Sequence, residues 1–175
     1  MLGVCSWSLR PRSASELTEF IRACRVYRVQ LHLDPLRSGE WDITQTASTL
    51  RESGIEIVSG MMGMKGEDYT SLDTIRETGG IRPDSTWEEN LAAAQGNADV
   101  AAELGIRLVT FHAGFLPHKS GDAERRNMVD RLRRIANIFA ERGVRIALET
   151  GQEDAATLEG VLGEVNTGLP HGGSV

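Results

Sequence analysis

Apolar residues fall into short runs separated by longer stretches with helical spacing, and the alternation repeats about five times along the chain. Such a series predicts βα units and a parallel sheet. Strands are expected at 2–7, 28–33, 55–59, 106–112 and 144–149. The first helix should follow Pro11, opened by a capping box from Ser13 to Glu16, with Leu17, Phe20, Ile21 and Cys24 on one face. A second is expected to run from an Asp42 cap past Ile43, Ala47 and Leu50 to Gly54, where a left-handed residue without a Cβ suits the stop. Ser85 and Glu88 frame another capping box, for an Ala-rich helix ending at Gly105. The helix predicted over 123–142 gathers Met128, Leu132, Ile135 and Phe139, and a last one over 154–165 gathers Leu158, Val161, Leu162 and Val165. From 60 to 84 the chain is irregular, with a short helix expected near 71–77; loops of this length are either lids and binding loops or surface excursions.

Side chains two apart along a strand share a face. Val29, Leu31 and Leu33 therefore oppose Gln30, His32 and Asp34. Val109 and Phe111 oppose Leu108, Thr110 and His112, while Ile146 and Leu148 oppose Ala147 and Glu149. Each small or polar set ends in an ionisable group. In a barrel, the carboxyl ends of neighbouring strands would bring His32, His112 and Glu149 around one mouth, where such folds keep their chemistry. A strand-end carboxylate beside imidazoles is a hard ligand for a divalent cation and a candidate base; the plainer reading has Glu149 capping a helix or pairing with an arginine.

The 175 residues are 40% hydrophobic and 25% charged, which excludes disordered, collagenous and membrane-spanning classes. A net charge of -6 disfavours an extended phosphate-tracking surface. Cys5 and Cys24 lack metal or disulfide spacing, and core packing is the expected role of Cys5. The start has no basic, apolar leader pattern and no apolar stretch approaches the roughly 20 residues of a membrane span, so a cytoplasmic location is expected. Lys65, in the long loop, reads as a solvated or phosphate-contacting side chain rather than a Schiff-base lysine. Arg125, Arg126, Arg131, Arg133 and Arg134 read as the solvated face of an amphipathic helix.

Five units of about 35 residues use up the 175-residue chain, whereas a closed (β/α)₈ barrel needs roughly 250. A doubly wound domain of five strands fits the length equally well, but no glycine fingerprint follows any strand. Residues 166–175 show no strand pattern and are expected to be a flexible or non-native tail to a domain spanning 1–165.

Phe111-His112-Ala113-Gly114 and the run Arg145 to Glu153 together resemble the xylose isomerase-like TIM barrels, a superfamily grouping sugar phosphate isomerases and epimerases with apurinic DNA-repair endonucleases. Gly3 to Leu9 and Gly66-Glu67-Asp68-Tyr69 are similar to the sugar-isomerase branch. The resemblance implies an α/β fold of parallel TIM-barrel type, incomplete, with about the first five βα units. It implies a divalent metal (Mn, Mg, Co or Zn) with Glu149 as ligand and catalytic group, and proton transfer next to the carbonyl of a sugar or sugar phosphate. His112, Trp7, His32 and Glu153 are the expected substrate contacts, Trp7 as a wall for a sugar ring or as plain rim packing. The family draws its other ligands from later strands, so this chain alone is expected to be inactive, and its open barrel to favour association into a homo-oligomer. The alternatives are a repair endonuclease, disfavoured by the acidic balance and the lack of histidine in 60–65, and a non-catalytic sugar-binding or interaction fragment.

Overall fold

In a computed structural model of the chain, residues 2–149, 151, 153–169 and 174–175 are described. The strands are β1 (Val4–Cys5), β2 (Arg28–His32), β3 (Glu56–Met61), β4 (Leu108–His112) and β5 (Arg145–Glu149). The helices are α1 (Ser6–Leu9), α2 (Ala14–Ala23), α3 (Asp34–Arg37), α4 (Ile43–Glu52), α5 (Leu72–Thr78), α6 (Asp84–Glu103), α7 (Ala123–Ala140) and α8 (Ala155–Thr167). All strand pairs are parallel and the sheet order is β1-β2-β3-β4-β5. A doubly wound sheet would reverse direction at a switch point; this one winds one way, as an incomplete barrel does.

The period-two sorting holds. Val29, Leu31, Val109, Phe111 and Ile146 are buried, in one core with Leu17 and Ile21 of α2, Leu50 of α4, Ala94 and Ala98 of α6, and Leu132, Ile135 and Phe139 of α7. Gln30, His32, Thr110 and His112 alternate with them as half-buried side chains on the other face. Between β2 and β3 the register slips: Val29 pairs with Ile57 but Gln30 with Ser59, which leaves Val58 47% exposed. β3 then runs on to Met61, two residues past its predicted end, through Gly60, where a Cβ would stand 2.8 Å from Leu33 Cδ1.

Caps set most helix starts: Ser13 accepts from Glu16 N (3.2 Å), Asp42 from Gln45 N (2.7 Å) and Asp154 from Thr157 N (2.7 Å). The capping box predicted at Ser85 does not form, because α6 begins at Asp84 with Pro83 as its cap, two residues before Ser85. Cys24 is exposed, not on the buried face of α2. β1 is two residues long and gives way to the turn of helix α1, so Trp7 stands on α1 and not at a strand end. Asp34 likewise leaves the strand pattern and opens α3.

Two arginines read as solvated are buried. Arg131 donates to the Ile81 (2.8 Å) and Arg82 (2.6 Å) carbonyls and pairs with Asp84, and Arg125 donates to the Pro117 carbonyl (3.1 Å) and to Glu164 (3.0 Å). They tie loop segments to α7, a long-range role that spacing along one helix does not reveal. At the end of the chain α8 continues two residues beyond the expected boundary at 165, and Val175 N donates to Asn166 Oδ1 (3.0 Å). The predicted flexibility at 170–173 lies outside the described residues. No described helix is long and apolar enough to cross a membrane.

Candidate functional site

The carboxyl ends of the strands open into a cavity of about 600 Å³. Register alignment places His112, the last residue of β4, beside Glu149, the last residue of β5. Both line the cavity, with Trp7 and Arg10 on one side, Gln30, Met61 and Met62 beneath, and Glu67 and Tyr69 reaching in from the long loop. Cys5 lines it too and is half-buried, where core packing had been expected.

His112 is held by its partner from that loop. Glu67 Oε1 bonds His112 Nδ1 (2.8 Å) and accepts from Gly80 N (2.9 Å), and Tyr69 donates its hydroxyl to Glu67 Oε2 (3.2 Å). The Glu67 hydrogen bond raises the His112 pKa against the opposing effect of burial, and the negative charges of Glu67, Glu149 and Glu153 add to it. Burial and the neighbouring Glu67 and Glu149 charges push the Tyr69 phenol up to about 12, so it stays protonated and acts as a donor. Glu149 is exposed and accepts one long hydrogen bond from Thr110 Oγ1 (3.3 Å), which itself accepts from Gln30 Nε2 (3.1 Å).

The loop reaches this position through a backbone contact that only glycines allow. Gly80 has φ +64°, and a Cβ on it would lie 2.0 Å from the Ala113 carbonyl carbon; one on Gly114 would lie 2.4 Å from the Gly79 carbonyl oxygen.

Of the remaining expected contacts, His32 and Glu153 stand to either side. His32 lines an adjoining cavity of about 380 Å³ with Trp41 and Pro35, separated from the first by Trp7, whose ring meets the His32 ring edge-on at 4.5 Å. Its Nε2 bonds Asp34 Oδ2 (2.9 Å), which also accepts from Gly63 N (2.8 Å), while Asp34 Oδ1 accepts from Asn97 Nδ2 (3.0 Å). Burial works against the Asp34 charge, but the bonds from His32, Asn97 and Gly63 outweigh it and hold the carboxyl well below the usual range. Glu153 lines a third cavity, with Arg76, Phe115 and His118, and accepts from Gly151 N (2.9 Å). Lys65 is exposed and paired with Glu89.

Sequence reasoning missed Glu67, Tyr69 and the Asp34 network. Glu67 carried a signal, since it sits in a motif singled out for resemblance, but no periodicity in an irregular loop could pair it with His112. For a divalent metal, Glu149 fits as one hard oxygen ligand. No group of three or more His, Cys, Asp or Glu side chains able to hold a metal ion occurs among the described residues.

Comparison with known proteins adds a lineage. A family model described as xylose isomerase-like TIM barrel matches residues 29–166. A xylose isomerase domain protein from Planctomyces limnophilus is similar in structure, with a TM-score of 0.77 and 27% identity over 85% of this chain and 52% of its own. A D-allulose 3-epimerase from Methylomonas sp. in complex with D-allulose gives 0.63 and 19% identity, over 94% and 58%. A xylose isomerase-like TIM barrel protein from Mycobacterium smegmatis in complex with magnesium gives 0.68 and 16%, over 94% and 61%. The chain therefore spans a little over half the length of these structures. No curated protein matches it significantly.

Proposed function

Because this chain belongs to the xylose isomerase-like TIM barrel family, we propose that its cavity receives a sugar, and that its chemistry is proton transfer next to the sugar carbonyl, as in an isomerase or epimerase. The observation that carries this reading is the side-by-side placement of His112 and Glu149 in one cavity.

Each residue has a role in the proposal. Trp7, Met61 and Met62 offer an apolar wall to the C–H face of a sugar ring or chain. The Tyr69 oxygen, whose proton goes to Glu67, accepts a hydrogen bond from a sugar hydroxyl, and the His112 ring offers another to the sugar. Glu149, exposed and lightly bonded, accepts a hydroxyl proton or takes one from the carbon beside the carbonyl. As the family implies, a divalent cation (Mn²⁺, Mg²⁺, Co²⁺ or Zn²⁺) would take Glu149 as one ligand. The described residues by themselves form no cage for such an ion.

Epimerisation inverts the carbon beside the carbonyl, so a proton taken from one face must be returned to the other by a second group. The other carboxylate in the cavity, Glu67, is engaged through both oxygens. The 175-residue chain alone is therefore expected to bind sugars and to turn them over poorly or not at all. Incubation of the purified chain with D-fructose or D-allulose and Mn²⁺ or Mg²⁺, followed by sugar chromatography, tests this; ready interconversion would refute it.

A further inference from the structure

We propose that Glu67 is a positioning residue: it fixes the His112 ring with the proton on Nδ1, so that Nε2 is the nitrogen presented to ligand. This rests on the sugar-site reading for what the ligand is, but not for the positioning itself.

Three observations lead to it. First, Glu67 and His112 are both nearly buried, with side-chain exposures of 11% and 13%, and are joined at 2.8 Å between Oε1 and Nδ1. A carboxylate only accepts, so the shared proton rides on Nδ1, and the bond made by one ring nitrogen sets the role of the other. Second, Glu67 is itself held from two directions, by Gly80 N at Oε1 and the Tyr69 hydroxyl at Oε2. A carboxylate bonded at both oxygens is suited to orienting a neighbour and poorly placed to take up a substrate proton. Third, the close backbone contact of Gly79 and Gly80 against Ala113 and Gly114 anchors the loop to the residues that directly follow His112. The ring and its orienter thus share one rigid seat.

With Nδ1 bonded to Glu67, Nε2 is the other ring nitrogen, and it lies beside the chain that leaves β5: a Cβ on Gly151 would stand 3.7 Å from it. In the neutral ring it accepts a hydrogen bond from a sugar hydroxyl, and in the charged ring it donates one to a sugar oxygen.

Long-range ¹H–¹⁵N spectra of the imidazoles of the full ¹⁵N-labelled chain, at a pH where histidine is neutral, test the assignment. The His112 signals are identified by their loss in His112→Gln. In the wild type, His112 should show a protonated Nδ1 and a bare Nε2. Glu67→Gln, whose amide oxygen can still accept from Nδ1, should keep that pattern; Glu67→Ala should lose it while circular dichroism stays unchanged. Protonation at Nε2 in the wild type, or an unaltered pattern in Glu67→Ala, would overturn the proposal. D-Allulose is then added to the same sample: a shift at His112 Nε2, with binding weakened about tenfold or more in Glu67→Ala, is expected. Absence of any sugar effect beside an intact Nδ1–H pattern would refute the sugar reading and leave the positioning role standing.

Discussion

His112 and Glu149 are register partners at the ends of two adjacent parallel strands, and the loop residue Glu67 braces one of them but not the other. One group of the pair is thus rigidly oriented while the other is exposed, with one hydrogen bond, from Thr110, among the described residues. An oriented ring beside a lightly held carboxylate suits a ligand whose oxygens meet both.

Glu149→Gln should leave stability unchanged within about 0.5 kcal/mol, since an exposed side chain with one long hydrogen bond contributes little. It should nevertheless remove any binding of Mn²⁺ at the cavity. Urea denaturation and paramagnetic broadening of the Thr110 and His112 signals by Mn²⁺ measure the two effects separately.

Gly80→Ala should destabilise the chain by about 2 kcal/mol or more, because the new Cβ meets the Ala113 backbone and the left-handed conformation becomes strained. The variant should also show the same altered His112 imidazole pattern as Glu67→Ala. Thermal denaturation followed by circular dichroism checks the first effect, and nitrogen spectra the second.

Asp34→Asn should cost about 2–3 kcal/mol at neutral pH, because the bonds to His32, Asn97 and Gly63 lose a charged acceptor. The folded pKa of Asp34 lies below its unfolded value. Its stabilisation is therefore complete above the unfolded carboxylate range and is lost as pH falls toward the folded pKa. Urea midpoints of wild type and variant should converge as the pH is lowered from about 5 to 2; a constant gap would refute the assignment.

Arg131→Met should cost about 2–3 kcal/mol by leaving the Ile81 and Arg82 carbonyls without their donor, whereas exposed Arg126→Ala should fall within about 0.5 kcal/mol. Parallel denaturant titrations of the two variants decide whether the arginines of α7 form one solvated face.

The sequence made legible what depends on local periodicity. The full burial of Val109 and Phe111 against the partial burial of Thr110 and His112 follows from strand pleating alone, as does the alignment of His112 with Glu149 once the strand order is known. What it hid depends on contacts distant in sequence. Arg125 and Arg131 resemble surface residues until the Pro117 and Ile81 carbonyls are brought to them. Glu67 lies 45 residues from His112, in a stretch with no periodic pattern. Trp7 was placed on a strand because its apolar run continues past Cys5, but the chain turns into α1 there and sets the indole between two cavities.

The most direct test is a titration of the ¹⁵N-labelled chain with D-allulose, reading amide and imidazole shifts in the wild type and in His112→Gln and Glu149→Gln. Shifts confined to the cavity, centred on Gln30, Glu67, His112 and Tyr69 and strongly weakened in both variants, are the expected result. Binding that shifts residues elsewhere, or that both variants retain at wild-type strength, would contradict the assignment of this cavity as a sugar site.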